Sequence, residues 1–179
     1  MDVLVVAATS RELEGLDAAT LRCGIGPVEA AATTARELAL RRPDALLHVG
    51  IAGASGIEPP ALVLGSEAVY GDLAAAVPLV DRVEPDARLL ELARAALPDA
   101  LVRPIGTSAR VGGVTGCEVE AMEGFAVLRA AELAGVPALE LRAVSNDVAE
   151  ADRARWRFDE ALAALREAVP RVVAAIVAA

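Results

Sequence analysis

The chain of 179 residues contains no lysine and no glutamine, and Asn146 is its single asparagine. All 17 basic residues are therefore arginines. A bias this strong removes amides wherever Arg, Glu or Ala will serve, so the surviving carboxamide is informative. It offers a donor and an acceptor of fixed polarity, a pairing that no carboxylate or hydroxyl reproduces at neutral pH. His48 is the only histidine. Chemistry resting on a histidine base or a histidine metal pair is thereby nearly excluded, and acid–base work falls to Asp and Glu. Cys23 and Cys117 have neither metal-ligand spacing nor a CxxC pattern and are expected as buried free thiols in a reducing cytosol. Aromatics are only 2% of the chain, so the core must be built from Ala, Val and Leu. No uncharged stretch reaches the ~18 residues of a membrane span. Met1-Asp2 leads into a short apolar run that does not read as a signal peptide. The expectation is a cytoplasmic protein without metal or cofactor.

What is present points to a folded enzyme-like domain. Hydrophobic residues make up 55% of the chain, which argues against disorder. A net charge of -9 argues against nucleic acid as a partner, although a local Arg cluster could still hold a small anion. The length suits one domain, 1–179, with a substantial core.

Short β-branched or apolar runs predict strands at Asp2–Ala8, Thr20–Ile25, Ala45–Val49, Leu62–Tyr70, Leu101–Ile105 and Pro137–Val144. Helices are predicted from Gly26-Pro27 to about Arg42, over Asp86–Leu97, over Met122–Leu133 with Gly135 as the stop, and over about Arg157–Val177. In the last of these, Leu162, Leu165, Val169, Val172 and Ile176 mark one helical face, and Pro170 is expected to kink or split it. Strands alternating with helices give an α/β fold of three layers, a mixed sheet flanked by helices.

Four motifs carry candidate chemistry, the first and the last of them at the carboxyl ends of strands, where such folds bind ligands. Thr9-Ser-Arg-Glu12 follows the first strand. It reads either as a capping box, with Glu12 bonding back to Thr9, or as a carboxylate facing the crevice. Gly24-Ile-Gly26 invites a dinucleotide reading, but the third glycine of that fingerprint falls on Glu29, which would repel a pyrophosphate. Val119-Glu-Ala-Met-Glu-Gly124 places Glu123 in the first turn of a helix. There it either complements the helix dipole or accepts hydrogen bonds from two vicinal hydroxyls, as on a ribose. Met122 reads as core or as pocket lining. Asn146 ends the last predicted strand, in Ser145-Asn146-Asp147.

Together these pieces resemble the nucleoside phosphorylase and nucleosidase superfamily. In its methylthioadenosine/adenosylhomocysteine nucleosidases, the corresponding elements are an early Glu, a GIGKV-type turn, a GxAGG-type loop, a VEMEG-type helix start and a strand ending Ser-Asp. Here they are Glu12, Gly24–Val28, Gly50–Ala54, Val119–Gly124 and Ser145-Asn146, in the same order along nearly the whole chain. The stretch from Ser145 to Trp156 is similar to one branch, the futalosine hydrolases, in having Ser-Asn, an acidic and basic run and then a Trp.

The resemblance implies a nucleoside phosphorylase-like fold and hydrolysis of a 6-oxopurine nucleoside, futalosine above all, releasing hypoxanthine in menaquinone biosynthesis. Glu12 would activate water, Glu123 would hold the ribose hydroxyls, Met122 would pack on the sugar, and Ala52 and Gly53 would wall the pocket. Asn146 would face N7 and the 6-oxo group of the purine with its NH2. Where the family's phosphorylases carry an Arg and a Ser for phosphate, this chain has His48 and Ile51, so water is the expected nucleophile. The carboxylate tail of futalosine would want an arginine: Arg110, Arg153 or Arg155. Trp156 either covers the pocket or caps the core. The chain is shorter than is usual in the family, after Asp72 and between Arg110 and Glu118. The partners implied are a small purine nucleoside and, as a homodimer or larger, further copies of the chain. Two alternatives stay open. One is an adenine-type nucleosidase or a purine nucleoside phosphorylase of the same fold. The other is an inactive nucleoside-binding protein.

Overall fold

In a computed structural model of the chain, residues 1–74, 76–112 and 115–179 are described. The first strand, β1 (Val3–Ala7), is buried along its whole length. Val3, Val5 and Ala7 enter one apolar cluster, and Leu4 and Val6 enter another. A strand covered on both faces needs apolar residues at every position, which is why it reads as a run and not as an alternation.

β1 lies parallel to β2 (Ala19–Arg22) on one side and to β3 (Ala45–Ala54) on the other. Beyond β3 the mixed sheet curls. β3 is parallel to β8 (Ala138–Asp147), which is antiparallel to β4 (Leu62–Tyr70). β4 is parallel to β6 (Leu101–Thr107), and β6 to β7 (Val119–Ala121). β7 then pairs antiparallel with the far end of β3, so these strands close on themselves. The short β5 (Arg82–Val83) adds an edge to β4.

Helices cover both faces. α1 (Pro27–Leu40) and α3 (Gly124–Ala134) pack together over Leu4, Val6 and Leu46. α2 (Ala87–Ala96) and α4 (Phe158–Val177) pack over Val5, Leu47, Val49, Leu139 and Leu141. The expected stripe of α4, Leu162 through Ile176, is the face it buries. Asp86 caps α2, accepting from the Leu89 amide at 3.0 Å, and Gly135 ends α3 at φ 67°.

β2 ends at Arg22, short of the expected Ile25, and β6 runs on to Thr107; four further differences from expectation have a physical reason. β3 does not stop at Val49 but runs on through the glycine-rich segment, because β8 pairs with it as far as Ala54. β8 likewise runs past Val144 to include Ser145, Asn146 and Asp147. The helix expected from Met122 starts at Gly124, since residues 119–121 find strand partners in β3 and β6. α4 runs unbroken through Pro170. That proline is exposed, so the carbonyl it leaves unpaired faces water. The segments expected to be short, after Asp72 and between Arg110 and Glu118, include residues 75, 113 and 114, which lie outside the described residues.

Leu141 is fully buried at the centre of β8 and belongs to the cluster under α4. Leu141→Ala is expected to cost about 2–5 kcal/mol, as deletion of a well-packed leucine does. Urea unfolding monitored by circular dichroism measures it, and a cost under about 1 kcal/mol would place the core elsewhere.

Candidate active site

The carboxyl ends of β1, β3 and β8 and the start of α3 open on one pocket of about 180 Å³. Every residue expected at the site lines it: Glu12, Ala52, Gly53, Met122, Glu123 and Asn146. Ile25, Ile51, Val111 and Val148 add apolar surface, and Glu120 adds a third carboxylate.

Glu12 follows β1 in a turn, not in a helix. Half of the bond pattern of a capping box is present nonetheless: its Oε2 accepts from the Thr9 amide at 2.9 Å, while Thr9 Oγ1 donates to the same oxygen at 2.7 Å. Its Oε1 accepts from the Ile51 amide at 3.1 Å. The two readings of this glutamate are thus one arrangement, in which local bonds aim a nearly buried carboxylate into the pocket.

Glu123 stands at the N-cap of α3, one residue before the helix, and not in its first turn. Its Oε1 accepts from the Gly26 amide at 3.0 Å. Gly26 is at φ 89°, a conformation that favours glycine, so the Gly-Ile-Gly turn serves to present a backbone donor to this carboxylate. Burial raises the pKa of Glu123, with Glu12 and Glu140 adding to the rise; Arg142, at 3.8 Å, and the Gly26 amide oppose it.

Asn146 reaches the pocket through an irregularity. Ala52 pairs with Val144 and Gly53 with Asn146, so β8 bulges at Ser145. Ser145 Oγ donates to Asn146 Oδ1 at 2.7 Å, and Asn146 Nδ2 donates to the Asp147 carbonyl at 2.9 Å. The carbonyl fixes the amide's orientation, since a flipped side chain would set oxygen against oxygen. The sequence suggested two N–H donors for a ligand; one of them is spent on Asp147, leaving one. Gly53 leaves room for the amide, because a Cβ there would lie 3.1 Å from Nδ2.

Sequence reasoning missed the group beneath the pocket floor. Arg142 is 1% exposed. Its Nε donates to Glu140 Oε1 at 2.7 Å, and its Nη2 is bonded to His48 Nε2. His48 Nδ1 faces the Val6 carbonyl at 3.0 Å, which assigns the ring proton to Nδ1. Burial and the facing guanidinium hold the His48 pKa well below the ordinary value, so the ring is neutral. The available signal was a Glu and an Arg two residues apart in a strand otherwise apolar enough to be buried: on one face of a buried strand they must pair with each other.

Arg110 lines the pocket. Its turn is pinned by Asp72, which accepts from Ser108 Oγ at 2.8 Å and from the Ala109 amide at 2.6 Å. The other arginines considered do not line the pocket: Arg153 lies 5.4 Å over the Trp156 ring, and Arg155 pairs with Glu150 at 2.9 Å. Trp156 lines the pocket, and its Nε1 donates to the Glu150 carbonyl at 3.0 Å. Cys23 is buried, and burial chiefly pushes its thiol pKa up to about 12, whereas Cys117 is only partly buried, against expectation. Among the described residues no group of three His, Cys, Asp or Glu side chains converges as a metal site, and no helix is long and apolar enough to cross a membrane.

Residues 7–179 match the family model of the phosphorylase superfamily. The chain is 39% identical to a futalosine hydrolase of Streptomyces coelicolor over 85% of its length and 77% of that protein's. It is 33% identical to a futalosine hydrolase of Thermus thermophilus, over 92% and 84% of the two lengths. Among solved structures, a futalosine hydrolase mutant of Helicobacter pylori superposes with a TM-score of 0.86 at 16% identity, covering 96% of this chain and 97% of that one. The last likeness is one of fold.

Between the ordinary carboxylate pKa, about 4.3, and the raised value of Glu123, the native state keeps a proton that the unfolded chain has released. Stability therefore falls as pH rises through that window. Glu123→Gln removes the proton uptake and is expected to gain stability relative to the wild type between about pH 4 and about pH 7. Urea midpoints at the two pH values measure it; a difference that does not change with pH would mean that burial leaves Glu123 unshifted.

Proposed function

The chain belongs to the phosphorylase superfamily, and on that premise we propose that it is a nucleosidase hydrolysing the N-ribosidic bond of a 6-oxopurine nucleoside, futalosine above all. The observation that carries the reading is the meeting of Glu12, Glu123 and Asn146, from three separate elements, in one pocket.

Breaking an N-ribosidic bond builds positive charge on the sugar and negative charge on the departing base. Glu12 accepts a proton from a water molecule whose oxygen bonds to the anomeric carbon as the C–N bond breaks, as in inverting glycoside hydrolysis. Glu123 accepts from the ribose hydroxyls, and its charge opposes that developing on the ring. Met122 packs on the sugar, while Ala52 and Gly53 wall the pocket. The remaining N–H of Asn146 donates to the base, where negative charge collects. A protonated carboxylic acid at this position suits a 6-aminopurine, since it donates to N7 and accepts from the amino group. The fixed polarity of Asn146 suits a 6-oxopurine, and a mismatch leaves buried polar groups unpaired. Arg110, the one arginine lining the pocket among the described residues, takes the carboxylate of the substrate's tail.

Two observations favour water over phosphate as the nucleophile. Glu12, Glu120 and Glu123 all line the pocket and would repel an anion. His48 is buried on Val6 and Arg142, and Ile51 gives its amide to Glu12. The protein acts in the cytoplasm, as a single domain assembled into a homodimer or larger, and its product feeds menaquinone biosynthesis.

Incubation with futalosine, inosine and methylthioadenosine, with and without phosphate, is expected to release hypoxanthine from futalosine independently of phosphate. Release that requires phosphate would make it a phosphorylase, and binding without release a nucleoside-binding protein. Glu12→Gln is expected to retain substrate binding and to lose turnover by about 10²–10⁴-fold, the usual contribution of a general base. Asn146→Asp is expected to lower the ratio of hypoxanthine to adenine release by roughly tenfold or more; an unmoved ratio would remove Asn146 from substrate selection.

A further inference from the structure

Two glycines of the site motifs exist to admit side chains from beneath. A Cβ on Gly50 would lie 2.3 Å from Arg142 Nη1 and 2.7 Å from Glu12 Oε1. The guanidinium and the Glu12 carboxylate thus approach one another across a single backbone atom of β3. A Cβ on Gly124 would fall 2.4 Å from Glu140 Oε1 and 2.6 Å from its Cδ. The Glu140 carboxylate therefore rests on the first residue of α3, next to Glu123. Glu140 is 0% exposed. Its Oε1 takes Arg142 Nε, and its Oε2 has no hydrogen-bond partner among the described residues. A carboxylate kept half-satisfied in a dry interior is costly, and packing alone does not account for it.

We propose that Glu140 is a positioning residue that acts through Arg142: it fixes the guanidinium at Nε, His48 fixes it at Nη2, and the charge so placed sets how readily Glu123 carries its own. Arg142 is then a shared counter-ion, divided between Glu140 below and the two pocket carboxylates above. The charged or titratable groups facing it come from each surrounding element. Glu12 comes from the turn after β1, Cys23 from the end of β2 and His48 from β3. Glu123 comes from the start of α3, and Glu140 from β8 itself. Glu120 of β7 lines the same pocket and accepts from Thr115 Oγ1 at 2.6 Å. His48 is neutral and Cys23 keeps its proton, so the balance lies among Glu12, Glu123, Glu140 and one guanidinium; burial raises the pKa of Glu140, and the Arg142 charge and hydrogen bond oppose that rise. Removing the Glu140 charge frees more of the guanidinium's field for Glu123, which then holds its proton less readily.

The kinetic test rests on the proposed nucleosidase activity. With futalosine as substrate, Glu140→Gln, nearly isosteric, is expected to move the acid limb of the kcat/KM pH profile down by about one pH unit, the scale on which a buried neighbouring charge acts. Glu140→Asp keeps the charge and is expected to leave the limb in place, even if kcat falls. An unmoved limb in Glu140→Gln, or equal shifts in both variants, overturns the inference in favour of a purely structural role. Titration of glutamate side-chain carboxyls by carbon-13 NMR separates this outcome from failure of the functional reading, because it needs no turnover. In the wild type the signal lost in Glu140→Asp is expected to be ionised at neutral pH, and Glu123 to titrate lower in Glu140→Gln. A protonated Glu140 at neutral pH overturns the inference, whether or not Glu140→Gln folds.

Discussion

Arg142 lies on β8 with 1% of its surface exposed, and a guanidinium cannot shed its proton to escape that environment. Everything around it is arranged to answer one buried positive charge. Glu140 and His48 take its inner donors, the Ile51 carbonyl lies 3.4 Å from Nη1, and Glu123 stands 3.8 Å from Nη2. Removing one member of such a group leaves a bare charge in the interior, at a cost of about 3–5 kcal/mol. The residues that flank this charge come from β3, β8 and the start of α3, so the same electrostatic requirement ties the sheet to one of its helical layers and fixes the height of the pocket floor. Gly50 and Gly124 follow from it, since a side chain at either position would occupy space that the network uses.

The sheet supports this arrangement by division of labour between the two faces of β8. Leu139, Leu141 and Ala143 enter the cluster under α2 and α4, while Glu140 and Arg142 point the other way. Strand alternation lets one segment carry apolar packing and buried ionic chemistry at once. Packing on the first face makes the geometry of the second reproducible, because the strand cannot rotate without setting Glu140 and Arg142 among the apolar side chains under α4.

Much of this was legible in the sequence. The order of strands and helices, the stripe of α4 and the stop at Gly135 follow from periodicity and from glycine placement. The pocket residues Glu12, Ala52, Gly53, Met122, Glu123 and Asn146 were found because motifs at strand ends combine into one pattern. What escaped notice depended on partners distant in the chain. β7 is a strand only because β3 and β6 offer it edges, and three residues carry too little periodicity to announce that. The closure of the sheet through β8 and β7 is likewise a property of pairing. Glu140 and Arg142 were read as part of an apolar run although their spacing of two sets them on one face, and His48 was read as a lost phosphate ligand because no local pattern joins residues nearly a hundred positions apart. The turn at Thr9 shows the converse: local bonds of the expected kind formed without the helix they usually begin.

The bulge at Ser145 has a consequence for how such a protein can change. Up to Val144, β8 is committed: each residue is matched to β3 and buried on both sides. After the bulge the strand no longer shares that register, and Asn146 is held by Ser145, by the Asp147 carbonyl and by the room above Gly53, with no part in the main hydrophobic clusters. The position proposed to meet the base is thereby set apart from the positions that hold the molecule together. A chain built this way can exchange one polar group for another at the strand's tip and inherit its scaffold unaltered, so that selectivity and foldedness can evolve on separate schedules.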